Sequence, residues 1–530
     1  MKKTANTIVE SSFILIVSTA LTKVISAFFK IPLASDGFLG EVGFGYFSVA
    51  FDLYMPFYLL AITGLPTAVS HIIAEKVSKN AQNTVLSTFY SCRRLFILLG
   101  TIISLVLIIL TLPLAVLSGD ENNSFYSVLA IIPSIFISFI ISAYRGYFEG
   151  FSNMYPTSIS KIIEAFSKLV LGLLFAYIGI KTTKNVALSS VFAVSAVTFA
   201  TLFSTLYLHL KFKKLNSNKE INREKSEKGQ LNQYLHLSLS FVFAGLTASV
   251  VALLDVFCVK IPLSFVNENY ISAVVLQYGE LIGDFSTLLY GIRSKAFTLY
   301  NLIPTFTAAL GVGALPVITA LKAKGDRCAL KQNINYTLKL ISVVTFPAAI
   351  GLTILSNQIM NLLYSNSSIL GGNLLAIYGI TALFSGLCIP LITVLQAVGK
   401  KRVTIINISV AVFIKIISSL ILVSFPKVNI YAAAFGSLIC YFYLCLATVF
   451  VLYKSIGGLD FINSLLKPLF SAILCGITAL LVSHISDSDI VTVLSILLAI
   501  IIYFVSLILT KTFSKNEIAQ FPIINRFFDK

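Results

Sequence analysis

Apolar runs of about 20 residues, separated by short polar breaks, recur along nearly the whole chain, and each is long enough to cross a bilayer as an α-helix. The first covers about Ser11–Leu33. The second, punctuated by Pro56, Gly64 and Pro66, ends near Ala74, and four more follow at about Leu95–Leu117, Phe125–Phe148, Pro156–Ile178 and Val186–Leu210. A polar stretch, Lys211–Gln230, then interrupts the pattern; it is too short for a domain and reads as a flexible linker. After it the runs resume at about Tyr234–Pro262, Ala296–Leu321, Leu338–Tyr364, Asn373–Val398, Val403–Phe425 and Asn429–Tyr453, with a final pair at about Leu466–Val482 and Ile490–Leu509. The alternating strands of about ten residues that a membrane β-barrel needs are not seen. The pattern predicts an all-α polytopic membrane protein of about 14 transmembrane helices.

The runs repeat. Lys30-Ile31-Pro32-Leu33 returns as Lys260-Ile261-Pro262-Leu263, Gly64-Leu65-Pro66 as Ala314-Leu315-Pro316, and Ala165–Val170 as Val412–Ile417. The offsets are about 250 residues for two landmarks and about 230 for the first, so one insertion of about 20 residues is needed. It falls between Ser264 and Ser294, where Tyr278, Leu281, Ile282, Phe285 and Leu288 have the spacing of an amphipathic helix lying on the outer face. An even number of helices per repeat makes the two halves parallel. The expected architecture is two pseudo-symmetric six-helix lobes (1–210 and 234–455) around a central cavity, a cytoplasmic linker (211–233), and two extra helices with a tail (456–530).

Composition agrees: 530 residues are 57% hydrophobic and 12% charged, with mean hydropathy +0.91. The net charge of +17 is spread over short loops rather than gathered on one module, which argues against nucleic acid. Lys2 and Lys3 precede the first run as in a signal peptide, but no small-residue cleavage site follows, so the run is kept as a span. Placing the N-terminus in the cytoplasm puts Lys76, Arg93, Arg94, Lys211–Lys228, Lys322, Lys324, Lys400–Arg402 and Lys454 inside, and leaves Asp36, Glu41, Asp120, Glu268, Asp284 and Asp487 outside. Both termini are then cytoplasmic. The seven cysteines and four histidines show no metal-ligand spacing, and with no Trp the aromatic belts fall to Tyr and Phe.

Charges inside spans are the candidates for function, because a lone ammonium in hydrocarbon costs from about 2.5 to more than 10 kcal/mol. Lys23, Asp52, Glu164, Lys168, Asp255, Lys260 and Lys415 fall there. Lys30 and Lys260 stand near helix ends, where a lysine either snorkels or faces a cavity. Glu164 and Lys168 stand at i and i+4 and can pair with each other; Asp255 can neutralise Lys23 or take part in coupling to a cation or proton. Arg293 and Lys295, ahead of the eighth span, read as the rim of an anion path or a solvated helix end. Arg145 and Glu149 close the fourth span at the inner face and either guard a cytoplasmic gate or, for Arg145, simply follow the positive-inside rule. More cations than anions suit a negatively charged substrate, with pyrophosphate the natural group. No Walker sequence, catalytic triad or metal cluster appears, so neither enzymatic chemistry nor a cofactor is expected; a coupling ion, Na+ or H+, is left open.

Lys30–Leu33, Gly43-Phe44-Gly45-Tyr46-Phe47, Gly64–Ser70, Arg145–Gly150 with Asn153–Thr157, and Leu395–Lys400 together resemble the stage V sporulation protein B group. That group belongs to the polysaccharide transporter branch of the multidrug/oligosaccharidyl-lipid/polysaccharide exporter superfamily, which also holds the lipid II flippases. The resemblance covers most of the chain in order. It implies flipping of an undecaprenyl-pyrophosphate-linked oligosaccharide or peptidoglycan precursor across the bacterial plasma membrane, by alternating access of two lobes around a cationic cavity. Flippases of the family use basic residues of helices 1 and 8, which correspond here to Lys23, Lys30 and either Arg293 or Lys295. The chain departs by carrying lysine where those flippases carry arginine, and Gly45-Tyr46 near their acidic residue of helix 2. The partners expected are a lipid-linked anionic glycan, membrane lipids and the cell-wall synthesis machinery, with the protein a monomer. A cation-coupled multidrug exporter on the same fold and a non-transporting scaffold of envelope or spore assembly are the other readings.

Overall fold

The computed structural model describes residues 2–78, 82–117, 123–216, 253–264, 285–364, 368–425, 428–486 and 488–513. Every regular element among them is helical. In chain order they are α1 (Lys2–Leu33), α2 (Gly40–Leu59), α3 (Leu65–Ser78), α4 (Gln82–Leu117), α5 (Asn123–Gly150), α6 (Tyr155–Thr183) and α7 (Val186–Asn216). After the linker come a short α8 (Ile261–Ser264), α9 (Phe285–Tyr300), α10 (Leu302–Lys324), α11 (Arg327–Ile354), α12 (Ser356–Leu363), α13 (Ile369–Ala397), α14 (Lys401–Val423), α15 (Tyr431–Ile456), α16 (Lys467–Ser483) and α17 (Asp489–Leu509). Twelve spans among the described residues are long and apolar enough to cross a membrane. The expected first span is the 32-residue α1; of the expected seventh, Tyr234–Pro262, only 253–262 are described. The linker beyond Asn216 and Tyr278, Leu281 and Ile282 of the amphipathic segment lie outside the described residues, while Phe285 and Leu288 fall on α9.

Local chemistry sets the helix ends. Asp326, Ser368 and Ser488 cap α11, α13 and α17 by accepting from the backbone N–H three residues on. Pro156 sits in the first turn of α6, where its missing N–H costs nothing. The punctuation read in the second span becomes a π-helical turn, Leu60–Gly64, between α2 and α3. Pro66 cannot donate to the carbonyl four residues back, and the widened turn absorbs the mismatch. The freed carbonyl of Ala61 accepts from the Ser142 hydroxyl on α5, as a break inside a membrane requires. One expected helix is two. Leu338–Tyr364 lies partly in α11, which begins earlier at Arg327, and the chain turns at Leu355 before α12. No proline or glycine marks that turn.

The chain forms two compact units, 1–295 with 416–433, and 296–415 with 434–530. In the first, α6 packs on α7 and α1, and α5 packs on α2, α3, α4 and α7. The seam of α6 reads Ser160, Glu164, Lys168, Gly172, Ala176, Gly179, a stripe of mostly small buried residues that lets helix backbones approach. A Cβ at Gly172 would strike the Phe29 ring of α1. In the second unit, α13 packs on α10 and α11, and α16 packs on α11 and α17.

Candidate functional site

The site begins with a backbone crossing. A Cβ on Gly45 of α2 would collide with the Thr287 carbonyl of α9, and one on Gly291 of α9 with the Glu41 carbonyl of α2. Two glycines thus let α2 and α9 touch main chain to main chain. The approach carries three side chains of α9 onto carboxylates. The Tyr290 hydroxyl donates to Asp52 Oδ2 at 2.7 Å, and Arg293 bridges Asp52 at 3.3 Å and Asp255, with which it is in direct contact. Lys295 reaches Glu41 at 3.3 Å. Arg293 and Asp255 are fully enclosed, and Asp52 nearly so. A guanidinium shared by two carboxylates and backed by a phenol satisfies charges that burial would otherwise make very costly.

This geometry corrects two expectations. Arg293 and Lys295 do not precede their helix; α9 starts at Phe285, so both lie inside it and are buried in ion pairs instead of forming a solvated rim or helix end. Asp255, expected to neutralise Lys23 or to take part in coupling, forms its salt bridge among the described residues with Arg293. It stands at the start of the π-helical turn Val256–Lys260.

A second charged group lies along α6. Arg145 of α5 is buried and donates to Glu164 at 2.9 Å and to the Ser160 hydroxyl at 3.2 Å. Tyr58 donates to the other carboxylate oxygen at 2.6 Å. The expected i, i+4 pair of Lys168 with Glu164 is present but longer, 3.8 Å. Arg145 therefore serves the interior of the unit, and half-buried Glu149 has Lys161 and Arg145 as charged neighbours. Lys161 itself reaches the Thr19 hydroxyl at 3.4 Å.

What these pairs leave over is cationic. Lys23 and Lys30, seven residues apart on α1, are half-buried, and neither forms a salt bridge among the described residues. Lys30 sits 4.2 Å above the Phe51 ring, and Lys168 lies 5.9 Å from the same ring and 5.6 Å from that of Tyr58. Such cation–π contacts hold an ammonium while leaving its N–H donors for a ligand. Phe51 belongs to an aromatic ladder on α2, Phe44, Phe47, Phe51, Tyr54 and Tyr58, with centroids 5.0 to 5.9 Å apart. Lys260 is fully buried, unlike its repeat partner Lys30, so the two ends of the sequence repeat differ in environment. Lys415, in the second unit, is buried with Nζ 2.8 Å from the Ser437 hydroxyl.

The family model described as polysaccharide biosynthesis protein matches residues 8–322, more than half of the chain. The chain belongs to that family. The Bacillus subtilis lipid II flippase MurJ is 23% identical over 456 residues, covering 81% of this chain and 80% of the relative. Stage V sporulation protein B of the same organism is 22% identical over 534 residues, covering 98% of each. Among solved structures, a lipid II flippase MurJ in an inward closed conformation superposes with a TM-score of 0.67 at 16% identity, covering 93% of this chain and 98% of that one. An inward-facing multidrug resistance MATE transporter of the MOP superfamily superposes with a TM-score of 0.63 at 13% identity, over 83% and 94%. The fold is therefore the one these membrane proteins share, and the chain is a multi-pass membrane protein of this family.

Of the candidate site residues, Lys415 alone lies outside residues 8–322, which the family model matches. Sequence reasoning missed Tyr58, Tyr290 and Phe51, and took Glu41 only for an outer-loop charge. The ladder on α2 does have a signal, aromatic residues at alternating spacings of three and four. Tyr290 has none, since its partner is 238 residues away.

Proposed function

We propose that the protein flips a lipid-linked anionic glycan, an undecaprenyl-pyrophosphate-linked oligosaccharide or peptidoglycan precursor, across the bacterial plasma membrane by alternating access, with both termini cytoplasmic. The observation that carries this reading is the division of charge in the first unit. Both buried arginines are committed to carboxylates, whereas Lys23 and Lys30 are held half-buried without a salt bridge among the described residues. Point-charge ammonium groups beside aromatic faces suit a diphosphate that must be bound and then released. Likeness to a named lipid II flippase and to stage V sporulation protein B supports the substrate class. The buried Lys168 and Lys260 would add positive potential behind these ammonium groups, Arg293 and Lys295 would hold the frame, and Arg145 with Glu149 would steady the cytoplasmic side.

The test is complementation of a flippase-depleted strain, with lipid-linked precursor followed on the inner leaflet. Lys23→Ala and Lys30→Ala should each leave expression intact and cut flipping at least tenfold. Unchanged flipping with both variants would overturn the site. Failure of the parent chain to complement, with efflux of cationic drugs instead, would favour the multidrug exporter; absence of both activities would favour a scaffold.

A further inference from the structure

A groove of about 500 Å³ opens on the first unit where the last turns of α7 pass the first turn of α6, and none of the ion-paired residues above lines it. Its wall is apolar, with Ile159 and Leu215 exposed, and two tyrosines, Tyr155 and Tyr207, flank it. Lys211 and Lys214 line it, both exposed, and none of its described lining residues is a carboxylate. The groove sits at the ends of two candidate spans, Tyr155–Thr183 and Val186–Asn216. Exposed apolar side chains of α7, Phe203, Leu206 and Leu210, lead away from it along the span.

We propose that this groove binds an anionic phospholipid of the adjoining leaflet, its phosphate between Lys211 and Lys214 and the start of an acyl chain against Ile159 and Leu215. Three features single out this occupant. The cations stand at the end of a candidate membrane span, where a lipid headgroup would lie. Tyrosine is the residue that settles at that interface. The apolar wall has no use for a soluble anion but continues the surface that meets lipid tails. Lysine suits the role because its stem lies along apolar surface while the ammonium reaches the phosphate. The proposal is independent of the flippase reading, since none of its residues belongs to the cationic group on α1 and α6.

The test uses the full-length protein and native mass spectrometry, titrating phosphatidylglycerol and phosphatidylcholine. Phosphatidylglycerol should be retained in preference. The double variant Lys211→Gln/Lys214→Gln should weaken it by about 25-fold, about fivefold for each lysine. Ile159→Trp, which fills the apolar end and keeps both lysines, should weaken it at least threefold without altering the size-exclusion profile. A pair of equal charge elsewhere, Lys324→Gln/Lys454→Gln, should leave binding unchanged. Equal affinity for the two lipids, an equal loss with the control pair, no effect of Ile159→Trp, or displacement by inorganic phosphate alone would overturn the assignment.

Discussion

The two units bury polar groups in different ways. The first carries buried ion pairs, Arg145 with Glu164, Arg293 with Asp52 and Asp255, and Lys295 with Glu41. The second buries mainly hydroxyls, among them Thr307, Ser342, Thr381, Ser385, Ser471 and Ser495. Many of these donate to carbonyls of their own helix, as Ser342 does to Leu338 and Ser495 to Thr492. Lys168 and Lys415 make the contrast concrete, because they occupy matching places in the sequence repeat and both are buried. Four residues earlier the first unit has Glu164 and the second has Ala411. Lys168 therefore joins a charged network, while Lys415 is bonded to the hydroxyl of Ser437. A repeated helical frame can thus be specialised for charge in one copy by single substitutions on a shared seam.

Breaking the network should cost most. Arg293→Ala leaves Asp52 and Asp255 buried without their guanidinium, and should destabilise the protein by about 3–5 kcal/mol. The readout is the melting temperature of the purified protein in detergent. Arg293→Met combined with Asp52→Asn and Asp255→Asn should recover much of that loss; continued instability of the triple variant would mean that packing, not charge, dominates.

A middle effect is expected at the crossing of α2 and α9. Gly291→Ala drives a methyl group into the Glu41 carbonyl, and overpacking of this kind costs about 1–3 kcal/mol. The same melting assay should show the loss, whereas Gly313→Ala of α10, with nothing within 4 Å of its Cβ, should be neutral or slightly stabilising. A neutral Gly291→Ala would show that α2 and α9 separate freely.

Stability should change least at the lysines. Lys30→Gln gives up one cation–π contact, about 1 kcal/mol, so its melting temperature should stay close to the parent's while flipping falls. In the second unit, Lys415→Met gives up the hydrogen bond to Ser437, about 1 kcal/mol, and should leave flipping unchanged. A flipping defect from Lys415→Met as large as that from Lys30→Gln would erase the functional difference between the units.

Legibility in the sequence followed distance along the chain. The pairing of Glu164 with Lys168 needs only the helical period, and it was readable. The π-helical turn at Leu60–Gly64 was foreshadowed by Gly64 and Pro66, although not the hydroxyl of Ser142 that satisfies it. The partners of Arg293 were out of reach, because Asp52 lies 241 residues away and nothing in either neighbourhood advertises the other. The Glu164 partner of Arg145 was also out of reach, because it comes from the next helix, 19 residues on.

By itself the sequence determined the membrane class, the helical fold and the sites of most spans, because each depends on hydropathy and period within one segment. It also determined that charge would be buried. Tertiary structure alone decided which charges cancel and which remain available, since that depends on where α2 meets α9 and α1 meets α6. The approach is set by Gly45, Gly172 and Gly291, whose missing side chains are invisible to any count of charges yet place Arg293 on its carboxylates and leave Lys30 on an aromatic face.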